Sequence, residues 1–135
     1  MRSVVIDTNV IVSAYLGGRL EAIIVAWIAG KFVLIVSNQI VSEYINVLSH
    51  PKFKILRIEL DDFAALILSK AEFVSPEESI RVIKADPSDN KFLEAAVAGK
   101  VDYIVSGDKH LRDLKEFRGI AVLAPSVFLA RLKEL

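Results

Sequence analysis

The sequence predicts one three-layer α/β/α domain built on a central parallel sheet of about five strands. Short β-branched runs alternate with helical stretches along the whole chain, the pattern left by βαβ units. Apolar residues make up 53% of the chain, which suits a sheet buried on both faces. No internal repeat, low-complexity tract or linker breaks the alternation, so residues 1–135 read as a single domain.

Residues 3–7 are the first strand: Ser3-Val4-Val5-Ile6 is apolar and β-branched and runs straight into Asp7-Thr8-Asn9. A helix follows over about 19–30, with Gly30 as its stop. The apolar run 32–36 is the second strand. Ser37 or Asn38 then caps a helix through about 49, ended by His50-Pro51 because the residue before a proline resists the α region. Residues 59–71 read as a helix opened by acids and closed near Lys70, and 72–75 as a short strand. The stretch 76–84 is the least regular, an acidic turn followed by a short apolar run. A helix over 87–99, a strand over 102–106, a short helix after Asp108, a strand over 120–123 and a closing helix over 126–135 complete the order.

Composition excludes several classes. Seventeen basic residues balance seventeen acidic ones, so no strong global field attracts nucleic acid. That argues against a tight non-specific DNA binder, not against an enzyme that touches a few phosphates. With no cysteine there is neither a disulfide framework nor thiolate chemistry. The longest uncharged apolar stretch, 22–30, is far too short for a bilayer span, and Asp7 interrupts the first apolar run too early for a signal peptide. The expectation is a cytoplasmic protein with no membrane association.

Two apolar runs end in an aspartate: Val4-Val5-Ile6 in Asp7, and Tyr103-Ile104-Val105 in Ser106-Gly107-Asp108. Strand carboxyl ends are where open α/β sheets bind ligands, so the two acids can face one site. Each also has a plainer reading, Asp7 as the cap of a following helix or turn and Asp108 as the N-cap of the short helix after it. Taken singly, Asp7 is balanced between the two readings and Asp108 leans toward the cap. Glu43 lies at the edge of the apolar stripe Ile40, Val41, Tyr44, Ile45, Val47 and Leu48, where a solvated flank glutamate is the plainer reading. In Asp86-Pro87-Ser88-Asp89, Asp86 reads as N-cap, Pro87 as N1 and Asp89 as N3. Asp89 nevertheless shares a helix face with Phe92, Leu93, Ala96 and Val97, the face that must pack on the sheet. Burying it unpaired is expensive, so a cation or donor is expected beside it. Four carboxylates converging without His or Cys suit Mg²⁺ or Mn²⁺, and such sites activate water for in-line displacement.

These segments, Val4-Val5-Ile6-Asp7-Thr8-Asn9-Val10, Ser42-Glu43, Asp86-Pro87-Ser88-Asp89-Asn90-Lys91-Phe92-Leu93-Glu94-Ala95-Ala96 and Ile104-Val105-Ser106-Gly107-Asp108, resemble the PIN-domain ribonucleases. Within them the resemblance is to the prokaryotic branch of VapC-like toxin components of toxin–antitoxin pairs, and it covers the whole chain. It implies Mg²⁺- or Mn²⁺-dependent cleavage of single-stranded RNA by Asp7, Glu43, Asp89 and Asp108. Asp7, Asp89 and Asp108 would hold the metal, and Glu43 would bind or orient the activated water. Thr8, Asn9 and Ser106 would hold carboxylates and waters in place, with ordinary turn chemistry as their plainer reading. Asp86 competes with Asp89 for the third position, and the helix-face argument favours Asp89. The resemblance further implies a homodimer and a small antitoxin that covers the acidic groove, often with an arginine among the carboxylates.

Lys109, His110, Arg112, Lys115 and Arg118 follow Asp108 closely. Lys109 and Arg112 are the candidates for RNA contact at the pocket rim, weighed equally against a solvated helix face. His110 is read as exposed, because a two-metal mechanism needs no further base. Trp27 is read as core or dimer interface. Three rival readings stand beside this one. A catalytically silent PIN-like interaction module would tolerate loss of an acid, and all four are present. A receiver domain wants an acidic pair at the first strand and an aspartate after a middle one, where Ser37-Asn38 stand. An aspartyl-nucleophile phosphatase wants an acid two residues after Asp7, where Asn9 stands.

Overall fold

The computed structural model describes residues 1–134. Six strands, β1 (Ser3–Ile6), β2 (Val33–Val36), β3 (Glu72–Phe73), β4 (Tyr103–Val105), β5 (Glu116–Phe117) and β6 (Ile120–Leu123), form one sheet in the order β3-β2-β1-β4-β6-β5. Every pairing is parallel except β5 with β6. The five parallel strands are those the apolar runs predict. The sixth, β5, is a two-residue edge strand closed onto β6 through Gly119 (φ 83°), too short to leave a periodic signal.

Seven helices flank the sheet: α1 (Thr8–Leu16), α2 (Glu21–Ile28), α3 (Asn38–Leu48), α4 (Arg57–Lys70), α5 (Asn90–Gly99), α6 (Lys109–Arg112) and α7 (Pro125–Leu132). Most match their predicted stretches within a few residues. α4 starts two positions early because Glu59, at N3, accepts from the Leu56 amide at 3.0 Å and satisfies an otherwise orphaned donor. The helix α1 is an addition. It begins immediately after Asp7, whereas the sequence pattern predicts no helix before 19. The short connection Gly17-Gly18 (φ 98° and 83°) then turns α2 by 100° against it. Helix α7 ends at Leu132, and Leu135, at the end of its predicted range, lies outside the described residues. No single helix among the described residues is long and apolar enough to cross a membrane.

The core runs through the sheet. Val4, Val5 and Ile6 of β1 are fully buried, as their central place in the strand order requires. Helix α5 packs on β1, β2 and β4 through Phe92, Leu93, Ala95 and Ala96, while α3 lies against α1, α4 and α5. Trp27 is buried in the core (2% exposed), whereas its helix neighbours Val25 and Ile28 face outward. Register sets the site. Val5 pairs with Ile104 and Ile6 with Val105, and the Asp7 amide donates to the Val105 carbonyl at 3.0 Å. The residues that follow the two central strands, Asp7 and Ser106, therefore stand side by side.

Candidate active site

Asp7 terminates β1 and caps α1 at once. Its backbone is extended (φ −69°, ψ 161°), and its Oδ1 accepts from the Val10 amide at 3.0 Å. Its Oδ2 accepts from the Ser106 hydroxyl, and the same hydroxyl oxygen accepts from the Asp108 amide at 2.9 Å. Ser106, fully buried, thus ties the ends of two strands together. Burial pushes the Asp7 carboxyl above its ordinary range, against the hydrogen bonds from Ser106 and Val10, and the nearby Asp108 adds to the rise.

The two readings of Asp108 turn out to be compatible. Oδ1 caps α6, accepting from the His110 and Leu111 amides at 2.8 and 3.3 Å, and the second oxygen is not used by the cap.

Asp89 is not the N3 residue the sequence predicts: a 3₁₀ turn (Pro87–Asp89) comes first and α5 starts only at Asn90. Asp89 stands half-buried at the junction as the N-cap residue of α5, without a side-chain cap hydrogen bond. Its Oδ2 is buried with no hydrogen-bond partner among the described residues. Its carboxyl is pushed up to about 6, first by burial and then by the charges of Asp86, Asp108 and Asp7, with Lys91 pulling the other way. Asp86 itself is exposed. Its Oδ1 accepts from the Ser88 hydroxyl at 2.7 Å, and it makes no cap hydrogen bond.

Glu43 is held from two sides. The Thr8 hydroxyl donates to Oε2 at 2.5 Å, and the Lys91 ammonium lies 3.1 Å from the same oxygen. The stem of Lys91 is largely covered, its side chain only 14% exposed. One residue along α3, the fully buried Tyr44 hydroxyl donates to the Ile6 carbonyl, anchoring the helix to the end of β1. Burial, with Asp7 and Glu43 nearby, pushes that phenol well above its ordinary value.

The structure therefore gathers Asp7, Thr8, Glu43, Asp89, Ser106 and Asp108 at one end of the sheet. It leaves Asn9 exposed on the first turn of α1 and outside this hydrogen-bond network. At the rim, Lys109 pairs with Asp113 at 3.3 Å on an open surface, and Arg112 and His110 are exposed. Arg118 is bidentate to Glu78. Three further residues contribute that the sequence pattern does not single out. Lys91 was signalled only by the need of a half-covered Glu43 for a counter-charge. Tyr44 belongs to the apolar stripe, and periodicity carries no signal for the acceptor of its hydroxyl. Asn90 shares the buried face with Leu93 and is itself buried. It accepts from the Ile83 amide and donates to the Ile83 and Pro87 carbonyls.

As arranged, no three acidic or histidine side chains among the described residues form a ready-made metal cage. The donor chemistry nonetheless fits a hard divalent cation. Asp7, Asp89 and Asp108 offer only oxygens, and the orphaned buried Oδ2 of Asp89 is the atom such a cation would satisfy.

A family model described as PIN domain matches residues 3–110. In fold the chain is similar to the crystal structure of PAE2754 from Pyrobaculum aerophilum, with a TM-score of 0.65 and 16% identity over 99% of this chain and 97% of that one. A looser likeness, with a TM-score of 0.43 and 20% identity over 90% of this chain and 94% of the other, is to the structure of FitAB bound to IR36 DNA fragment. No curated protein matches the chain in sequence.

Proposed function

Because the chain belongs to the PIN-domain family, we propose that it is a divalent-metal-dependent endoribonuclease hydrolysing phosphodiester bonds of single-stranded RNA. Asp7, Glu43, Asp89 and Asp108 are its catalytic carboxylates. The observation that carries the reading is Asp89, whose buried oxygen lacks a partner among the described residues and lies within the field of Asp7 and Asp108. A chain that only needed a helix cap there would gain by solvating that oxygen or replacing it.

In this reading Asp7, Asp89 and Asp108 would hold Mg²⁺ or Mn²⁺. When bound, the cation supplies charge neutralisation at the phosphate and a lowered pKa for water. The rest is the work of the chain. Ser106 fixes the rotamer of Asp7, so its carboxylate presents free lone pairs in one direction. Thr8 and Lys91 together fix Glu43, which orients the attacking water. The Lys91 ammonium also pulls the Asp89 carboxyl down, partly offsetting the repulsion from Asp86, Asp108 and Asp7.

The biological role we propose is that of a toxin silenced by a small antitoxin. It rests on the likeness of the four motifs to VapC-like sequences. A guanidinium from such a partner suits the carboxylate cluster for the same reason a metal does. Homodimer formation is part of the same proposal.

The test is cleavage of a mixed single-stranded RNA pool by wild type and Asp7→Asn, each with Mg²⁺, Mn²⁺ or EDTA. Metal-dependent cutting lost in the variant supports the assignment. Equal cutting by both proteins would sink it, and no cutting by pure wild type under any metal would favour a silent interaction module.

A further inference from the structure

Beside the carboxylates, α3, residues 79–84 and the start of α5 enclose an open groove of about 1020 Å³, with Glu43 and Lys91 in its lining. That volume is at the upper end of small-molecule pockets, and the groove is open to solvent, which suits a stretch of polymer better than a metabolite. Asn38, Gln39 and Asn46 project into it from α3, offering amide donors and acceptors of the kind that read the edges of unstacked bases. Across from them stand Arg81 and Lys84, both exposed and neither in an ion pair among the described residues. Lys91 sits where the groove meets the acids.

The wall that carries Arg81 and Lys84 has no regular secondary structure, yet it is fixed. The buried Asn90 side chain pairs with both the amide and the carbonyl of Ile83, and the Glu94 carboxylate accepts from the Ile80 amide at 2.9 Å. Ile80 and Ile83 are themselves buried beneath it. Two polar side chains of α5 are thus committed to holding an irregular strand at a set distance from α3, and two cations ride on that strand.

We propose that this groove is the track for the single-stranded RNA flanking the cut, with Arg81 and Lys84 contacting its phosphates and Asn38, Gln39 and Asn46 facing its bases. The proposal rests on the nuclease reading above and adds the path of the substrate. It places that path on the α3–α5 side of the acids, away from α6, where Lys109 is already paired with Asp113.

Binding of a short, fluorescently labelled single-stranded RNA to the non-cutting Asp7→Asn protein with Mg²⁺, over a range of salt concentrations, tests it. Adding Arg81→Ala and Lys84→Ala should weaken binding roughly tenfold and lower the slope of log affinity against log salt by about 1.4, the loss of two single-strand phosphate contacts. The charge-conserving pair Arg81→Lys and Lys84→Arg should restore both. Removing two remote cations, Lys31→Ala with Lys133→Ala, should change neither. Unchanged affinity and slope after loss of Arg81 and Lys84 would overturn the track and leave the groove to an acidic peptide. If wild type still cuts RNA with metal in that case, the nuclease reading survives alone. If wild type does not cut, both fall.

Discussion

Asp89 couples the site to pH. Its carboxyl in the folded protein titrates at about 6, above the ordinary 3.8, so the fold holds that proton more tightly than the unfolded chain does. The stability this group contributes is full at the acid end and is lost as pH rises from 3.8 through about 6. Asp89→Asn removes the loss. In EDTA the variant should be more stable than wild type at neutral pH by ~1 kcal/mol, a figure discounted for the solvent that reaches a half-buried group. It should gain nothing in acid. Urea denaturation at the two pH values checks this, and parallel behaviour of the two proteins would refute it. At Asp7, Asn preserves the helix cap through its own Oδ1, so Asp7→Asn should fold normally while losing cutting by a factor of at least about 10². The acids were legible because a carboxylate at a strand end or on a packed helix face contradicts its apolar surroundings. Lys91 was not, because its partner Glu43 lies on another helix and only the packing of α3 on α5 brings them within 3.1 Å.

Elements were legible where periodicity was long and their ends carried caps. Helix α3 has its stripe, its Ser37 cap accepting from the Ile40 amide, and a proline shortly after its end. Helix α1 was missed because Asp7-Thr8-Asn9 reads equally as a strand-end turn, and its apolar residues continue those of β1 without a polar break. Edge strand β5 was missed because two residues cannot show a period. The contact between α5 and the sheet depends on Gly99, the last helical residue. A Cβ there would stand 2.8 Å from Ile35 Cγ2, a buried branch with no room to swing. Gly99→Ala should therefore destabilise by about 1–3 kcal/mol, less the roughly 1 kcal/mol that alanine gains in helix propensity, read as a lower urea midpoint. Asn90→Ala should cost about 2–3 kcal/mol by stranding the polar groups of Ile83. Hydrogen exchange should quicken at the Ile83 amide while the β1 amides stay protected.

At the scale of the whole molecule, cation binding and folding are linked if the carboxylates hold a metal. Mn²⁺ at a hundred times its dissociation constant should stabilise wild type by about 2.7 kcal/mol, visible as a rise in thermal midpoint, and should leave Asp7→Asn unmoved. An equal rise in both proteins would place the ion elsewhere. The parallel sheet has another consequence, for the order in which the protein is made. Asp7 is synthesised well before the hydroxyl that fixes it, which belongs to Ser106, 99 positions later. Its own amide must also wait for the Val105 carbonyl. Pairing over such a separation comes late in folding, and a nascent chain cannot close it before β4 has emerged. An enzyme of the proposed activity is born beside the very RNA it could cut, its own message and the ribosome. The fold keeps Asp7 unassembled until β4 and the serine that follows it have been made.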